Sequence, residues 1–371
     1  MMKRANVVVM PDSFGETLTA VEAAASIGAG WHAARATDVV TLAPQSDGGP
    51  GFIEVLATAF GGEVRTQTVT GPLGEPTRAQ WLLHNRVAYL EAAQACGLHL
   101  VPVPRTPQSA LSASSAGVGD LISAALQAGC TRIVVGLGGT AATDGGRGAA
   151  ERLGGIVAER SGGVHSAARL LHDVEVIAAT DVDNPLLGLT GAAAVYAPQK
   201  GADSVTVELL EARLAEWADE LTRQSGRDVR DEPGAGAAGG LGAFLLSCGA
   251  HRESGAAVVA AETGRRAAIA AADLVITGEG AIDDQTCHGK VVAAIAAEAA
   301  QAGVPVLVLA GQSQLTDAEA AAFGEVHALV DYAQSVDDAK QHAGPLLTEL
   351  AGELASQWTF PGVAEVAQNG Q

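Results

Sequence analysis

Short apolar runs recur along the chain, and each empties into a polar turn that carries glycine. Val7–Met10, Val39–Leu42, Ala88–Glu91, Arg132–Val135, Val174–Ala179, Ala193–Tyr196, Leu274–Ile276, Pro305–Leu309 and Ala328–Val330 read as strands. Helical stretches stand between them. Thr19-Ala-Val-Glu22 is a capping box, in which threonine caps the helix and the glutamate reaches back to it, and the helix runs on to about Trp31. Ser115–Ala128, Val207–Leu221, Gly289–Ala302 and Ala343–Gln357 are the other clear helices. Strands separated by helices predict an α/β fold with mostly parallel sheets and crossover connections. Glu159–Ala168 and Gln224–Gly240 predict loops, and Pro361–Gln371 a frayed tail.

The turns after the strands carry the chemistry. Ile133–Gly146 runs from a β-branched strand into Gly-Leu-Gly-Gly-Thr-Ala-Ala-Thr-Asp-Gly-Gly. Glycines let backbone approach a ligand closely and turn N–H groups toward anionic oxygens, so this stretch reads as a phosphate-handling loop. Pro11–Phe14, Pro44–Gly51, Ile177–Pro185 and Leu274–Asp283 repeat the grammar. In α/β proteins ligands bind outside the carboxyl ends of the strands. Asp12, Asp47, Asp144, Asp181, Glu279 and Asp283 each fall in such a turn. A single acid there is as well explained by a helix cap or an Asx turn. Six together point to a site. Lys200 and Lys290 are scarce cations in an acidic chain, and the second opposes the dipole of the helix it starts.

Composition narrows the class. The chain has 371 residues, 48% hydrophobic and only 4% aromatic, and a formal charge of −20. Length favours two domains, and the charge excludes nucleic acid and anionic membrane surfaces as partners. Cys96, Cys130, Cys248 and Cys287 are scattered and read as buried bystanders. With no signal-peptide core and no apolar run of membrane length, a cytoplasmic protein is expected. No Walker A or Gly-x-Ser-x-Gly motif occurs, and no histidines stand at metal-ligand spacing. Gly136-x-Gly-x-x-Ala141 lacks an acid at the end of the next strand about 20 residues on, as a dinucleotide site requires.

Pro11-Asp-Ser-Phe14, Ser46-Asp-Gly-Gly49, Gly138-Gly-Thr-Ala141, Asp144-Gly-Gly146, Asp181, Asn184-Pro185, Pro198-Gln-Lys-Gly-Ala202, Pro233–Gly240, Thr277-Gly-Glu-Gly280, Asp283 and Gly289-Lys290 follow one another in the order of a known family. Over essentially its whole length the chain resembles the bacterial glycerate kinases of the glycerate 2-kinase type. The resemblance implies ATP- and Mg²⁺-dependent phosphorylation of D-glycerate, usually to 2-phosphoglycerate. It also implies a Rossmann-like parallel-sheet domain with a second, inserted α/β domain and the active site in the cleft between them. The expected limits are 1–61 plus 261–371 for the first and 62–260 for the second, with a homodimer left open.

Within that frame, Asp47, Asp144, Asp181, Lys200 and Lys290 are the catalytic candidates, and Asp47 the group that orients or deprotonates the hydroxyl. Gly138, Gly139, Thr140, Gly145, Gly146, Gly236, Gly239 and Gly240 are expected to hold nucleotide phosphates. Asp12, Ser13, Ser46, Gly48 and Gly49 are expected to bind substrate, and Glu279 with Asp283 to hold Mg²⁺ through hard oxygen ligands. The chain departs from the family at Gly15 (lysine), Pro50 (glutamate), Thr143 (asparagine) and Ala281 (arginine). The missing cations leave an alternative open: a relative impaired in catalysis or turned to another small hydroxy acid.

Overall fold

The computed structural model describes residues 4–156, 163–282 and 291–359. Its strands are β1 (Asn6–Val9), β2 (Val39–Leu42), β3 (Glu63–Thr70), β4 (Pro76–His84), β5 (Val87–Glu91), β6 (Arg132–Gly136), β7 (Glu175–Ala179), β8 (His251–Glu253), β9 (Leu274–Ile282), β10 (Val306–Ser313) and β11 (Glu325–Ala328). They form two sheets flanked by helices, a mixed α/β architecture. The chain divides into a terminal unit, Met1–Ser46 with Val259–Gln371, and an inserted unit, Asp47–Val258. The inserted unit thus starts upstream of residue 62, because the helix Phe52–Phe60 packs on β4 and β5.

The terminal unit is built on a five-stranded, wholly parallel sheet in the order β11-β10-β9-β1-β2. Val7, Val9, Leu274, Ile276, Leu307 and Leu309 bury their side chains against two helices, Ala20–Ala34 and Ala343–Gln357. The expected capping box is present: Thr19 Oγ1 accepts from Glu22 N at 3.2 Å, and Glu22 accepts from Thr19 N at 2.9 Å.

The inserted unit carries a six-stranded sheet in the order β3-β4-β5-β6-β7-β8. Strands β5 to β8 run parallel, and β3 and β4 join them as an antiparallel edge. The outermost strand has no apolar run to announce it: most of β3 is exposed or half-buried, and only Val69 is buried.

Several local expectations are corrected. Ala193–Tyr196 is part of a helix, Ala192–Tyr196, because the run is mostly alanine, the strongest helix former. Gly163–Leu171 is a helix where a loop was expected, and it buries Val164, Ala167 and Leu171. The last strand ends at Ala328, and Leu329–Asp331 forms a 3₁₀ turn. Gln224 and Ser225 still belong to the helix Ser204–Ser225, whereas the rest of the stretch expected as a loop holds as far as Gly240: Ala238, Gly239 and Gly240 have left-handed backbone, and a regular helix follows only after them. Thr277–Gly280 does not turn but continues β9 to Ile282; Thr277 is fully buried, and its Oγ1 donates to Met10 O at 3.0 Å. Among the described residues, no helix is long and apolar enough to cross a membrane.

The crossing of Ala20–Ala34 with Ala343–Gln357 yields a prediction. A Cβ on Gly30 would lie 2.0 Å from Thr348 O, so the two helices meet backbone to backbone. Alanine in place of glycine inside a helix ordinarily stabilises by about 1 kcal/mol. Here overpacking of about 1–3 kcal/mol opposes it and wins. Gly30→Ala lowers the melting temperature, whereas Gly155→Ala, whose Cβ meets nothing within 4 Å among the described residues, holds or raises it. Paired thermal melts check the opposite signs.

Candidate active site

Parallel strands β5 to β8 end at Glu91, Gly136, Ala179 and Glu253. The segment Asp47–Gly51 lies across these ends with its backbone pressed on theirs. A Cβ on Gly136 would stand 2.4 Å from Gly48 O, one on Gly138 2.6 Å from Gly49 Cα, and one on Gly255 1.9 Å from Asp47 O. No side chain fits in such gaps, so glycine is a packing requirement at these positions.

This seat leaves the Asp47 side chain exposed, its Oδ1 accepting the Gly49 N–H at 2.9 Å. Asp181 follows the end of β7 and accepts from Ala256 N at 3.1 Å and from Ser254 Oγ. Asp181 as a residue is exposed, but its carboxylate is tucked against Ser254 and Ala256. Partial desolvation and then the charge of Asp47 push its proton affinity above the ordinary aspartate range, against those two hydrogen bonds and the charge of Arg252. Two carboxylates that feel each other's charge beyond the ends of parallel strands attract a cation.

The glycine-rich segment beside them splits into two parts. The amides of Gly138, Gly139 and Thr140 have no partner among the described residues. Those further along are taken: Gly145 N donates to Gly239 O at 3.0 Å, Gly146 N to Asp144 Oδ1 at 3.1 Å, and Gly236 N to Asn184 O at 2.9 Å. Gly240 N donates to Gly236 O at 3.3 Å. These glycines let two loops interlock, since a Cβ on Gly239 would lie 2.0 Å from Ala142 O.

Asp144 and Lys200 sit underneath. Asp144 Oδ2 accepts from Ser115 N and Ser115 Oγ, both at 2.9 Å, and from Gly148 N at 3.1 Å. One carboxylate thereby ties the starts of helices Ala116–Gln127 and Arg147–Ile156 together. Lys200 is buried, and its Nζ donates to Ala142 O at 2.6 Å. Burial pulls its pKa down to about 8, opposed by Cys96 and Asp144. Both side chains are engaged in holding the loop.

In the terminal unit, Asp12 and Ser13 leave β1, with Asp12 N donating to Gly278 O at 2.8 Å and Ser13 N to Asp12 Oδ1 at 2.6 Å. Ser46 is buried just after β2, and Glu279 is buried on β9 opposite Ala310. Asp283, Lys290 and Cys287 lie outside the described residues. The Cys96 and Cys248 thiols are pushed up to about 12 by burial, which fits inert side chains.

Three polar residues of this region carry no motif. Ser254 holds Asp181. Arg252 on β8 pairs with Asp183 at 2.7 Å and stacks its stem on Gly234. Glu91 ends β5, is 2% exposed, and accepts from Gly51 N at 3.1 Å and Ile53 N at 3.4 Å. The only available signal was a carboxylate closing an otherwise apolar strand, Val87-Ala-Tyr-Leu-Glu91.

Burial raises the Glu91 carboxyl from 4.5 to about 7. The folded chain therefore holds this proton more tightly than an unfolded one, and the residue weakens the fold as pH climbs through that window. At about 1.4 kcal/mol per unit the cost above pH 7 is roughly 3 kcal/mol. Glu91→Gln, which carries no charge at any pH, melts higher than the wild type at pH 8. The gap closes as pH falls toward 4.5; melts across that range check the trend, and a pH-independent gap contradicts it.

Residues 7–359 match the model of the glycerate kinase family. An uncharacterized protein of Mycobacterium bovis is 52% identical over 95% of this chain and 91% of its own length. The glycerate 2-kinase of Escherichia coli is 37% identical over 84% of this chain and 86% of its own. A solved structure from Salmonella typhimurium LT2, assigned to glycerate kinase 2, aligns with a TM-score of 0.76 and 34% identity, covering 99% of this chain and 100% of that one. The chain belongs to the glycerate kinase family and is an enzyme of that class.

Proposed function

We propose that the enzyme transfers the γ-phosphoryl group of ATP to the 2-hydroxyl of D-glycerate, giving 2-phosphoglycerate and ADP. The observation that carries this reading is the exposed carboxylate of Asp47, held by its backbone above the parallel-strand ends beside a second carboxylate, Asp181. Phosphoryl transfer needs an oriented hydroxyl and neutralised charge more than covalent help. Asp47 accepts the proton of the substrate hydroxyl while that oxygen forms its bond to phosphorus and the bond to the ADP oxygen breaks. The amides of Gly138, Gly139 and Thr140 have no acceptor among the described residues, and they are suited to receive phosphoryl or carboxylate oxygens. Gly48 and Gly49 fix the loop; their contribution to the substrate is its placement beside Asp47.

Mg²⁺ belongs to the proposal as an ion carried in by the nucleotide. Such ions take one or two carboxylates besides phosphate oxygens and water. Among the described residues no group of three or more potential ligands converges, and Asp181 is the carboxylate this structure offers next to Asp47. The ion supplies positive charge to the phosphates. Asp144 and Lys200 act in this reading by holding the loop.

The test is ADP release from ATP and Mg²⁺ with and without D-glycerate, with phosphorus NMR of the product. Release that depends on D-glycerate, with phosphate on the 2-position, is expected. Asp47→Asn lowers turnover by about 10²–10⁴, the range of a lost general base, while the melting temperature stays close to the wild type's. Release indifferent to D-glycerate, or near-full turnover in Asp47→Asn, overturns the reading. Turnover only with a different hydroxy acid overturns the substrate but keeps the chemistry.

A further inference from the structure

The helix Phe52–Phe60 starts without a side-chain cap of its own. Its N-cap is Gly51 in the left-handed region at φ 94, which offers no oxygen to the first-turn amides. Phe52 N is met locally by Gly49 O at 3.1 Å, and two of the others are served from elsewhere in the fold. Glu91, at the end of β5 and paired in register with Gly136, turns its carboxylate up under the helix start and accepts from Gly51 N and Ile53 N. Gly136 is the residue on which Gly48 O rests. The carboxylate and the glycine seat therefore lie side by side beneath one short segment, Asp47–Gly51.

We propose that Glu91 is a positioning residue, which fixes the Asp47–Gly51 segment by capping the helix behind it and so sets the placement of Asp47 toward the acceptor substrate. The role rests on the reading of Asp47 given above. A carboxylate is unwelcome where anionic substrates bind, and burial, helped by the charge of Glu54 and opposed by its own hydrogen bonds, raises its proton affinity to about 7. Its retention there is explained by its acceptor oxygens. They satisfy amides that are otherwise uncapped, and the neighbouring Gln94 adds only a long contact of 3.5 Å. Since the function lies in accepting hydrogen bonds rather than in charge, a glutamine oxygen at the same position substitutes for it. Alanine does not.

Steady-state kinetics of the full-length enzyme separate these cases. Glu91→Ala raises KM for D-glycerate about tenfold, the scale of one lost cap, and leaves KM for ATP within about twofold. Glu91→Gln restores KM for D-glycerate to within about threefold of the wild type. An unchanged KM for D-glycerate in Glu91→Ala overturns the proposal. So does an equal rise in both KM values, the signature of general loosening. A wild type that does not phosphorylate D-glycerate removes the reading of Asp47 but leaves the cap to be judged by amide exchange. Exchange at Gly51 and Ile53 must then quicken about tenfold in Glu91→Ala and not in Glu91→Gln, and equal exchange in all three proteins overturns it.

Discussion

The inserted unit is organised by one contact, the backbone of Asp47–Pro50 resting on the backbone of Gly136–Gly139. Side chains are excluded from its lower side: a Cβ added to Gly136 or Gly138 would stand 2.4 or 2.6 Å from the backbone of Gly48 and Gly49, and one on Gly139 2.7 Å from the Pro50 ring. Excluding them brings a polar, exposed segment onto the ends of buried strands at a fixed height. Asp47 points outward as a result, because its own carbonyl is pinned against Gly255 and the next two residues have nowhere to move. Close packing of this kind is stiff: a single added methyl displaces the whole segment. The proposed placement of Asp47 depends on that stiffness.

Charge is the second constraint. In the proposed reaction a chain with a formal charge of −20 has to receive anionic molecules. Backbone amides solve part of the problem, because they present positive partial charge without a side chain. Gly138, Gly139 and Thr140 provide them in a segment braced from below by Lys200 on Ala142 O and by Asp144 on two helix starts. The acids and cations closest to the loop are thus largely spent on its shape. Asp47 and Asp181 are left as the pair whose charges meet above it.

Much of this was legible in the sequence. The parallel strands were visible because buried strands are continuous apolar runs, and the first helix because its capping box is written in four residues. The edge strand β3 was invisible, since an edge facing water needs no apolar run, and β4 beside it carried only the short run Trp81-Leu-Leu83. Thr277–Gly280 looked like a turn because glycines usually mark one, whereas here they let neighbouring backbones close on β9. At the site, Asp47, Gly48, Gly49, Gly138, Gly139, Thr140 and Asp181 could be picked out, and the fold gathers them. Sequence could not separate Asp144 and Lys200 from residues that face a ligand, because a buried clamp and a catalytic group share the same residue types. Glu91, Ser254 and Arg252 had no motif, since they act through tertiary contacts only.

Gly138→Ala is the substitution that probes the seat itself. Its Cβ would come within 2.6 Å of Gly49 Cα and lift the segment bearing Asp47, without touching any titratable group. D-glycerate-dependent ADP release by this variant, measured against the wild type at matched folded fraction, should fall by about 10² or more, as a misplacement near 1 Å does to an oriented reaction. Turnover at the wild-type level in a folded Gly138→Ala enzyme would show that the backbone seat does not position the reacting groups.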